Sequence, residues 1–246
     1  MFYERDYGHE LFIFNVTLDR FMYLVFDTET TGLPRNWSAP LSDSENWPRC
    51  VQIAWQLHAS DGTLLSHENY LVKPIGFDIP FESEKVHGIS TALASKDGLE
   101  IESVIESFLV AIDQASYLVG HNLKFDLNIM GAELLRLGRD NILVDRAVLD
   151  TCTETTALLL KLPGGRGGKF KLPTLTELHE YLFNEKFAEA HNASADVEAT
   201  ARCFLELIRL KVINQENTGL NLDEYNLFLE KNPQPFKLIG IRRTTH

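Results

Sequence analysis

The sequence predicts an α/β protein whose mixed sheet is flanked by helices, and three observations support this fold class. Residues 22–72 contain three strand-like segments in succession, which is typical of an antiparallel meander. From residue 100 onward, helical patterns alternate with short apolar strands, as in a sheet covered by helices. The chain has 246 residues and 44% of them are hydrophobic, so it can bury a sizeable core.

The five predicted strands fall into two groups. The first group is MYLVFD at 22–27, CVQIAWQL at 50–57 and TLLSHENYLV at 63–72, and the segment ASDG joins the last two as a short hairpin-type turn. The second group is YLVG at 117–120 and AVLD at 147–150. Helices are predicted near 100–115 and at 125–137, 152–160, 174–184 and 194–211. The last helix carries an apolar stripe formed by Val197, Ala201, Phe204 and Ile208.

Charge and cysteine content exclude several classes of protein. The formal net charge is −12, from 23 Lys and Arg against 35 Asp and Glu, which argues against a protein that coats duplex nucleic acid by neutralising phosphates. An acidic protein can still act on nucleic acid locally. The three cysteines are far apart in sequence and lack C-x-x-C spacing, so they suggest neither a disulfide framework nor a zinc site.

The N-terminal sequence shows no targeting signal. It lacks a cationic leader followed by an apolar stretch, and no segment reaches the apolar length needed to cross a bilayer. We therefore expect a soluble, cytoplasmic protein. Residues 1–21 precede the first strand and are interpreted either as an added strand or as the product of a start site placed too far upstream. Mass spectrometry of the native N-terminus distinguishes these hypotheses.

Residues 33–49, LPRNWSAPLSDSENWPR, are too long and too rich in Pro and Ser for a simple connection. The segment contains Trp37 and Trp47. These rings either stack on nucleic-acid bases or anchor a long loop, and the second is the more common use of tryptophan in such a place.

A glycine-rich segment at 162–173, LPGGRGGKFKLP, resembles a phosphate-binding loop only superficially. A match ending at Lys169 needs Gly where Pro163 stands and Ser or Thr where Phe170 stands. We interpret it as a flexible basic loop, because it contains several cations and no acidic residue lies between Thr155 and Thr176. The cations of this stretch are Lys161, Arg166, Lys169 and Lys171. Its cations either contact a phosphate backbone or keep the loop soluble.

Asp27 and Glu29 lie at the end of the first strand, two positions apart. Side chains alternate along a strand, so both project to one face with Cβ atoms roughly 7 Å apart. Two ionised carboxylates side by side are unfavourable, and either protonation or a divalent cation relieves the repulsion. An isolated D-x-E is usually only a solvated strand end, so further ligands are needed to indicate a site.

Two further segments supply acids. In HNLKFD, Asp126 falls in the first turn of a helix that Asn122 is predicted to cap. In HNASAD, Asp196 falls near the start of the last long helix, with Ser194 as the predicted cap. Each acid has an adequate structural explanation on its own, namely a favourable interaction with the helix dipole.

Taken together, the acids occupy ends of strands and helices that can meet at one edge of a sheet. Four carboxylates suit hard, six-coordinate Mg²⁺ or Mn²⁺ rather than zinc. Two such ions about 4 Å apart would clamp the attacking and leaving oxygens of an in-line phosphoryl displacement. His191 is the remaining group able to take a proton from the attacking water.

The segments FDTETTG, HNLKFD and the H-x4-D of HNASAD resemble the three exonuclease motifs of the DEDD superfamily, in its DEDDh branch. The proofreading epsilon subunit of bacterial DNA polymerase III is the best-known relative in this family. The resemblance runs from about Met22 to Leu210 and includes KVHGIS at 85–90 and KLPTLTELHEYLF at 171–183. It implies a ribonuclease H-like fold and release of nucleoside 5′-monophosphates from 3′ ends.

The resemblance also implies roles for individual residues. The metal ligands for two Mg²⁺ or Mn²⁺ ions would be Asp27, Glu29, Asp126 and Asp196, and the general base would be His191. The residues that contact the nucleotide would be Thr30, Leu33, Val86, His87, Asn122 and Phe125. Without the family context, Val86 and Phe125 are interpreted as core residues, and Gly88 as the glycine that ends a helix.

Two parts of the chain depart from the family pattern. The loop after Leu33 is an insertion relative to compact members and lies where it could change access to the terminal nucleotide. Residues 211–246 fall outside the match, and NLDEYNLFLE within them is predicted to be a helix. The predicted organisation is an N-terminal extension at 1–21, an exonuclease domain at 22–210 and a C-terminal helical extension at 211–246.

The leading functional hypothesis is a metal-dependent 3′–5′ exonuclease acting on DNA 3′ ends, single-stranded DNA above all, in proofreading or repair. The alternative keeps the chemistry and changes the substrate to RNA ends or short oligoribonucleotides. A third hypothesis is a catalytically inactive fold retained for protein binding, which the complete set of acids disfavours. A polymerase is a possible partner.

Overall fold

A computed structural model describes residues 21–185 and 192–237. The strands are β1 (Met22–Thr30), β2 (Cys50–Ala59), β3 (Leu64–Leu71), β4 (Tyr117–Gly120) and β5 (Val148–Asp150). The helices are α1 (Phe81–His87), α2 (Thr91–Asp97), α3 (Ile101–Gln114), α4 (Lys124–Arg136), α5 (Glu154–Leu160), α6 (Leu175–Phe183), α7 (Ala193–Arg209), α8 (Gln215–Thr218) and α9 (Leu222–Lys231). A single 3₁₀ turn at Arg166–Gly168 lies between α5 and α6.

The sheet has five strands in the order β3-β2-β1-β4-β5. The first three are antiparallel neighbours, as expected for a meander. Strands β4 and β5 add to the other side of β1 in parallel, because helices connect them to the preceding strands. The predicted mixed sheet with flanking helices is confirmed.

The two faces of β1 pack against different helices. Leu24 and Phe26 belong to a core cluster with residues of α3 and α4. Tyr23 and Val25 point the other way, into a cluster that contains the apolar stripe of α7. The stripe predicted for the last long helix is therefore confirmed. The alternation also decides which helix each residue at the end of β1 meets.

Helices α1, α2 and α8 were not predicted as elements, although the helix stop at Gly88 is confirmed by its left-handed φ of 75° at the end of α1. Two predicted helix caps are wrong. Asn122 does not cap α4, because its backbone is left-handed (φ 61°) and the helix begins after Leu123. Ser194 does not cap α7, because the preceding Asn192 accepts its N–H at 3.2 Å and takes that position.

The two tryptophans of the 33–49 loop have different environments. Trp47 is 3% exposed and its indole Nε1 donates to the carbonyl of Pro40 at 3.1 Å, so it anchors the loop. Trp37 is 55% exposed, and its ring centroid lies 5.9 Å from that of Phe125. The stacking and anchoring interpretations therefore apply to different rings, and only Trp37 presents a face to solvent.

The predicted helix in NLDEYNLFLE is confirmed as α9, and it packs on the same cluster as β1 and α7 through Tyr225 and Phe228. Within the described residues, no helix is both long and apolar enough to cross a bilayer. The predicted boundaries at 21 and 210 remain predictions.

Candidate active site

β1 extends beyond its parallel neighbour. Its last residue paired with β4 is Val25, opposite Val119, whereas its pairing with β2 continues through Asp27 and Glu29. Both carboxylates point to the face that α7 covers, because they share the parity of Val25. The space beside the end of β1 is therefore open to the first turns of the helices that follow.

The first turn of α7 brings a third carboxylate to this place. Gln52, the ladder partner of Glu29 on β2, accepts the N–H of Ala193 at 3.3 Å and fixes the start of α7 against the sheet. One carboxylate oxygen each of Asp27, Glu29 and Asp196 then lies within 4.8 Å of the others. Three of the four predicted acids thus form one cluster.

Asp126 reaches the cluster from the opposite helical layer. Thr28 points to the face that α4 covers, and both its N–H (3.0 Å) and its hydroxyl (2.7 Å) donate to Oδ1 of Asp126. Asp126 is 3% exposed. It lies close enough to be the charged group with the largest effect on Asp27. Its Oδ1 is therefore oriented by β1, next to the three clustered carboxylates.

The strand β5 fixes the start of α4. Asp150 accepts the N–H groups of Asn122 (2.9 Å), Leu123 (2.9 Å) and Cys152 (2.7 Å) through its carboxylate. The bonds from Asn122 and Leu123 hold the backbone immediately before the first residue of α4. Because Asp126 lies in the first turn of α4, Asp150 helps to fix the backbone that carries it, while Thr28 orients the carboxylate itself.

The electrostatics of the cluster favour protonation or a cation. Burial, followed by the charges of Asp126, Asp196 and Glu29, raises the pKa of Asp27 well above its usual range. Burial also raises the pKa of Glu29 to about 8, with additional effects of Asp196 and Asp126. Burial raises the pKa of Asp126 to about 7, although the hydrogen bonds from Thr28 act in the opposite direction. Among the described residues, no cationic side chain forms an ion pair with Asp27 or Glu29.

The donor set fits a hard divalent cation. All the clustered ligand atoms are carboxylate oxygens, which Mg²⁺ and Mn²⁺ prefer, whereas zinc sites are dominated by nitrogen and sulfur. A bound cation would neutralise the negative charges of Asp27 and Glu29. His191, the predicted general base, lies outside the described residues.

The residues expected to contact a nucleotide divide into buried and exposed groups. Thr30 is buried and its hydroxyl donates to the carbonyl of Gly32 at 2.7 Å, so it shapes the turn after β1. His87 is buried and its Nδ1 accepts the N–H of Ile89 at 3.1 Å. Leu33 and Val86 are 71% and 53% exposed. The interpretation of Val86 as a core residue is therefore wrong, since it lies on the outer side of α1.

The remaining two predicted contacts lie at the start of α4. Asn122 is exposed, and its left-handed backbone turns the chain from β4 into the helix. Phe125 is partly buried against the α3–α4 side of the core and contacts the ring of Trp37. Exposed apolar and amide side chains thus occur on the segments that flank the carboxylates.

Sequence reasoning missed three residues that position the acids, namely Thr28, Gln52 and Asp150. Thr28 was visible within the FDTETTG motif, but its partner lies 98 positions away. Asp150 carried a signal, because an acid ends a predicted strand of the same sheet. The contact of Gln52 with the start of α7 spans 141 positions and left no local sign.

The basic loop at 162–173 is partly neutralised within the chain. Lys171 forms an ion pair with Glu177 at 2.7 Å, and Lys169 pairs with Glu154. Two of its cations therefore have intramolecular partners in α5 and α6. This arrangement favours a structural and solubilising use of the loop over phosphate contact.

Comparison with known proteins identifies related chains. A family model described as "Exonuclease" (RNase T) matches residues 24–204. A DNA polymerase III subunit epsilon-like protein of Rhodobacter capsulatus is 32% identical over 205 residues, which cover 82% of this chain and 26% of that protein. The 3′-5′ exonuclease DinG of Bacillus subtilis is 31% identical over 186 residues, which cover 76% of this chain and 17% of that protein. This chain therefore spans about a quarter or less of these two relatives.

A further relative is similar in length. The DNA polymerase III subunit epsilon of Rickettsia conorii is 25% identical over 185 residues, covering 75% of this chain and 73% of that protein. Among solved structures, E. coli exonuclease I in complex with a dT13 oligonucleotide superposes with a TM-score of 0.62 at 19% identity. The superposition covers 83% of this chain and 45% of that chain. It confirms the predicted ribonuclease H-like fold.

Proposed function

The chain belongs to the exonuclease family, and we propose that it hydrolyses phosphodiester bonds at DNA 3′ ends and releases nucleoside 5′-monophosphates. The observation that carries this proposal is the cluster of Asp27, Glu29 and Asp196, whose oxygens lie within 4.8 Å of one another. Within the part of the chain that the structure describes, no cationic side chain pairs with Asp27 or Glu29. Such crowding is costly unless a cation or a proton balances it. A protein that only binds partners does not need crowded carboxylates, whereas metal-dependent phosphoryl transfer uses them as ligands.

Asp27, Glu29, Asp126 and Asp196 would hold two divalent cations, Mg²⁺ or Mn²⁺. When bound, these ions supply positive charge that stabilises the charge developing on the attacked phosphate and on the leaving oxygen. The protein itself orients the carboxylates that would bind the ions. Thr28 does so for Asp126 by two hydrogen bonds, and the ladder of β1 with β2 does so for Asp27 and Glu29.

In the proposed reaction, water attacks the terminal phosphorus and the bond from phosphorus to the 3′ oxygen of the preceding nucleotide breaks. The products are a nucleoside 5′-monophosphate and a strand with a new 3′-hydroxyl. His191 would take the proton of the attacking water, since it precedes Asp196 by only five positions and an imidazole titrates near neutral pH.

The proposed contacts of the terminal nucleotide use the segments beside the carboxylates. Leu33, Val86 and Phe125 offer apolar surface on which a base can stack, and Trp37 extends that surface through its contact with Phe125. Asn122 would meet the sugar or phosphate, while Thr30 and His87 would shape the pocket from behind. None of these contacts reads a base sequence, which suits a nuclease that removes any nucleotide.

DNA is proposed as the substrate because the similar proteins bear DNA-related names, including DNA polymerase III subunit epsilon and an exonuclease I solved with dT13. The same names support a proofreading or repair role and a polymerase as a possible partner. The chemistry of the carboxylates alone serves RNA ends equally, so the sugar preference must come from contacts to the 2′ position.

The decisive experiment is end-resolved cleavage of matched DNA and RNA oligonucleotides labelled at the 5′ end, with Mg²⁺, Mn²⁺ or a chelator. A ladder that shortens one nucleotide at a time from the 3′ end, only with metal and faster on DNA, is expected. Labelled mononucleotide appearing first would reveal the opposite polarity. A folded, metal-loaded protein that leaves every substrate intact would refute the proposal, and faster trimming of RNA would transfer it to the exoribonuclease alternative.

A further inference from the structure

Residues of the 33–49 loop line a cavity that is open to solvent and that the proposed metal-dependent hydrolysis does not use. Its volume is about 590 Å³, and its wall begins at Thr31 and Leu33, directly after the strand that carries Asp27 and Glu29. Arg35, Arg49 and Arg136 line it together with Phe77. The cavity is therefore continuous with the segment proposed to meet the terminal nucleotide.

The wall of the cavity is held in place by one arginine. The guanidinium of Arg136 donates to the carbonyls of Ser44 (2.9 Å), Trp47 (2.6 Å) and Pro48 (3.4 Å). It also pairs with the buried Glu133 at 3.0 Å. A long loop is thus attached to α4, and the cavity exists before any ligand arrives.

Glu133 and Phe77 hold the Arg49 side chain in place, and its two terminal nitrogens remain available as donors. Its Nε donates to Glu133 at 2.9 Å, and its guanidinium lies 4.4 Å from the centroid of the Phe77 ring. Stacking of this kind fixes the guanidinium plane. Among the described residues, neither terminal nitrogen of Arg49 has a hydrogen-bond partner, and the side chain of Arg35 has none at all.

The charge of the cavity contrasts with that of the whole chain. Three arginines line it against a single lining acid, the exposed Glu45, while Glu133 is buried beneath and already engaged. The chain as a whole carries a net charge of −12. A cationic recess in such a protein attracts an anion, and arginine forks match phosphate oxygens in geometry.

We propose that this cavity binds a backbone phosphate of the nucleic acid whose 3′ end lies at the carboxylate cluster, through Arg35 and the free nitrogens of Arg49. The inference rests on the proposed function, since it assigns the phosphate to that substrate. The phosphate belongs either to the cleaved strand, upstream of its last nucleotides, or to a complementary strand. The insertion after Leu33 then serves to hold substrates longer than a few nucleotides.

The test measures binding by fluorescence anisotropy in the Asp126→Asn background with Mg²⁺, so that it does not depend on turnover. Oligonucleotides of 3 and 12 residues are compared, each as a single strand and the longer one also as a duplex. Arg35→Gln should weaken binding of the 12-mer on the order of 10-fold while leaving the 3-mer nearly unchanged. The slope of log affinity against log salt should fall by about 0.7 for a single strand.

Two further variants control the result. Arg49→Lys keeps a cation for Glu133 but loses the planar fork, so it should show a smaller loss with the same length dependence. Lys211→Gln removes an equal charge beyond the far end of α7, about 25 Å along the helix from its first residue, and should change neither length.

The outcomes separate the alternatives. A loss seen with the single-stranded 12-mer assigns the phosphate to the cleaved strand, and a loss seen only with the duplex assigns it to the complement. Equal losses for both lengths, or no loss, would overturn the proposal. Cleavage of the 3-mer by Arg35→Gln in the otherwise native chain tests the proposed function separately, because that reaction does not need the cavity.

Discussion

Two acidic sites in this protein are built in opposite ways. Glu133 on α4 is 1% exposed, and its Oε1 accepts from Arg49 Nε (2.9 Å), the Cys50 N–H (2.9 Å) and Arg136 Nη1 (3.0 Å). The charged groups that raise the pKa of Asp27 and Glu29, at the end of β1, are all other acids. The first carboxylate is neutralised within the chain and supports the fold, whereas the second pair is left for a ligand to neutralise.

The first test of this contrast is to remove Asp126, the fourth acid of the proposed metal site. Asp126→Asn keeps an oxygen acceptor for Thr28 but removes a negative charge, so the fold should persist while cleavage falls on the order of 1,000-fold. Steady-state rates on a labelled oligonucleotide measure the loss, and circular dichroism checks the fold. A rate close to that of the unmodified chain would remove Asp126 from the proposed site.

The second test is to remove Glu133, the carboxylate that pairs with Arg49 and Arg136. Glu133→Ala leaves Arg49 and Arg136 without their buried partner, which should cost about 3–5 kcal/mol of unfolding free energy. Urea denaturation measures this value. Glu102→Ala breaks an exposed ion pair with Arg139 and should cost less than about 1 kcal/mol. If the two variants lost similar amounts of unfolding free energy, Glu133 would not be the buried acid that stabilises the fold through Arg49 and Arg136.

The third is to titrate the uncompensated site without metal. Because the pKa values of Glu29 and Asp126 are raised to about 8 and about 7, the folded state holds more protons than the unfolded state between those values and roughly 4. The free energy of unfolding should therefore fall as pH rises from 5 to 8. The melting temperature should drop on the order of 5–10 °C.

Two comparisons sharpen this titration. Mg²⁺ at pH 8 should recover most of the lost stability, because it replaces the protons. Glu29→Gln should flatten the pH dependence, whereas Glu230→Gln, at an exposed position on α9, should leave it intact. A metal-free protein whose melting temperature is level across this range would contradict the assigned crowding of the carboxylates.

The smallest expected effect concerns the start of α4, the helix that carries both Asp126 and Glu133. Asp150→Ala removes the acceptor of three backbone N–H groups and should cost about 1–2 kcal/mol of stability. Cleavage should fall about 10-fold through kcat rather than KM, because Asp126 is displaced. Asp145→Ala, at an exposed position between α4 and β5, serves as the control. Unchanged kcat would limit Asp150 to a stabilising role.

The sequence predicted what depends on local periodicity. The alternation in β1 placed Asp27 and Glu29 on one face, and the helical pattern placed Asp126 in the first turn of α4. It did not reveal Asp150 as the residue that secures that turn, because Asn122 offered a plausible cap nearby. Which side chain accepts the N–H groups at the start of α4 depends on the pairing of β4 with β5, and this pairing exists only in the folded sheet.

The same limit applies to the 33–49 loop. Its composition indicated an irregular insertion, and Trp47 is the anchor that tryptophan commonly provides. The attachment to Arg136 could not be predicted, since it joins a helix residue to carbonyls about 90 positions earlier. The role of His191 remains a prediction, because the described residues do not include it.

The attachment of the 33–49 loop to Arg136 allows the sequence of that loop to vary. Arg136 binds the loop through the carbonyls of Ser44, Trp47 and Pro48, and every amino acid presents the same carbonyl. These hydrogen bonds therefore do not depend on most side chains of the 33–49 loop. Exposed positions such as Arg35 and Glu45 can be exchanged by selection or by an engineer without loosening the frame, which makes this insertion a natural place to retune substrate choice while the chemistry stays constant.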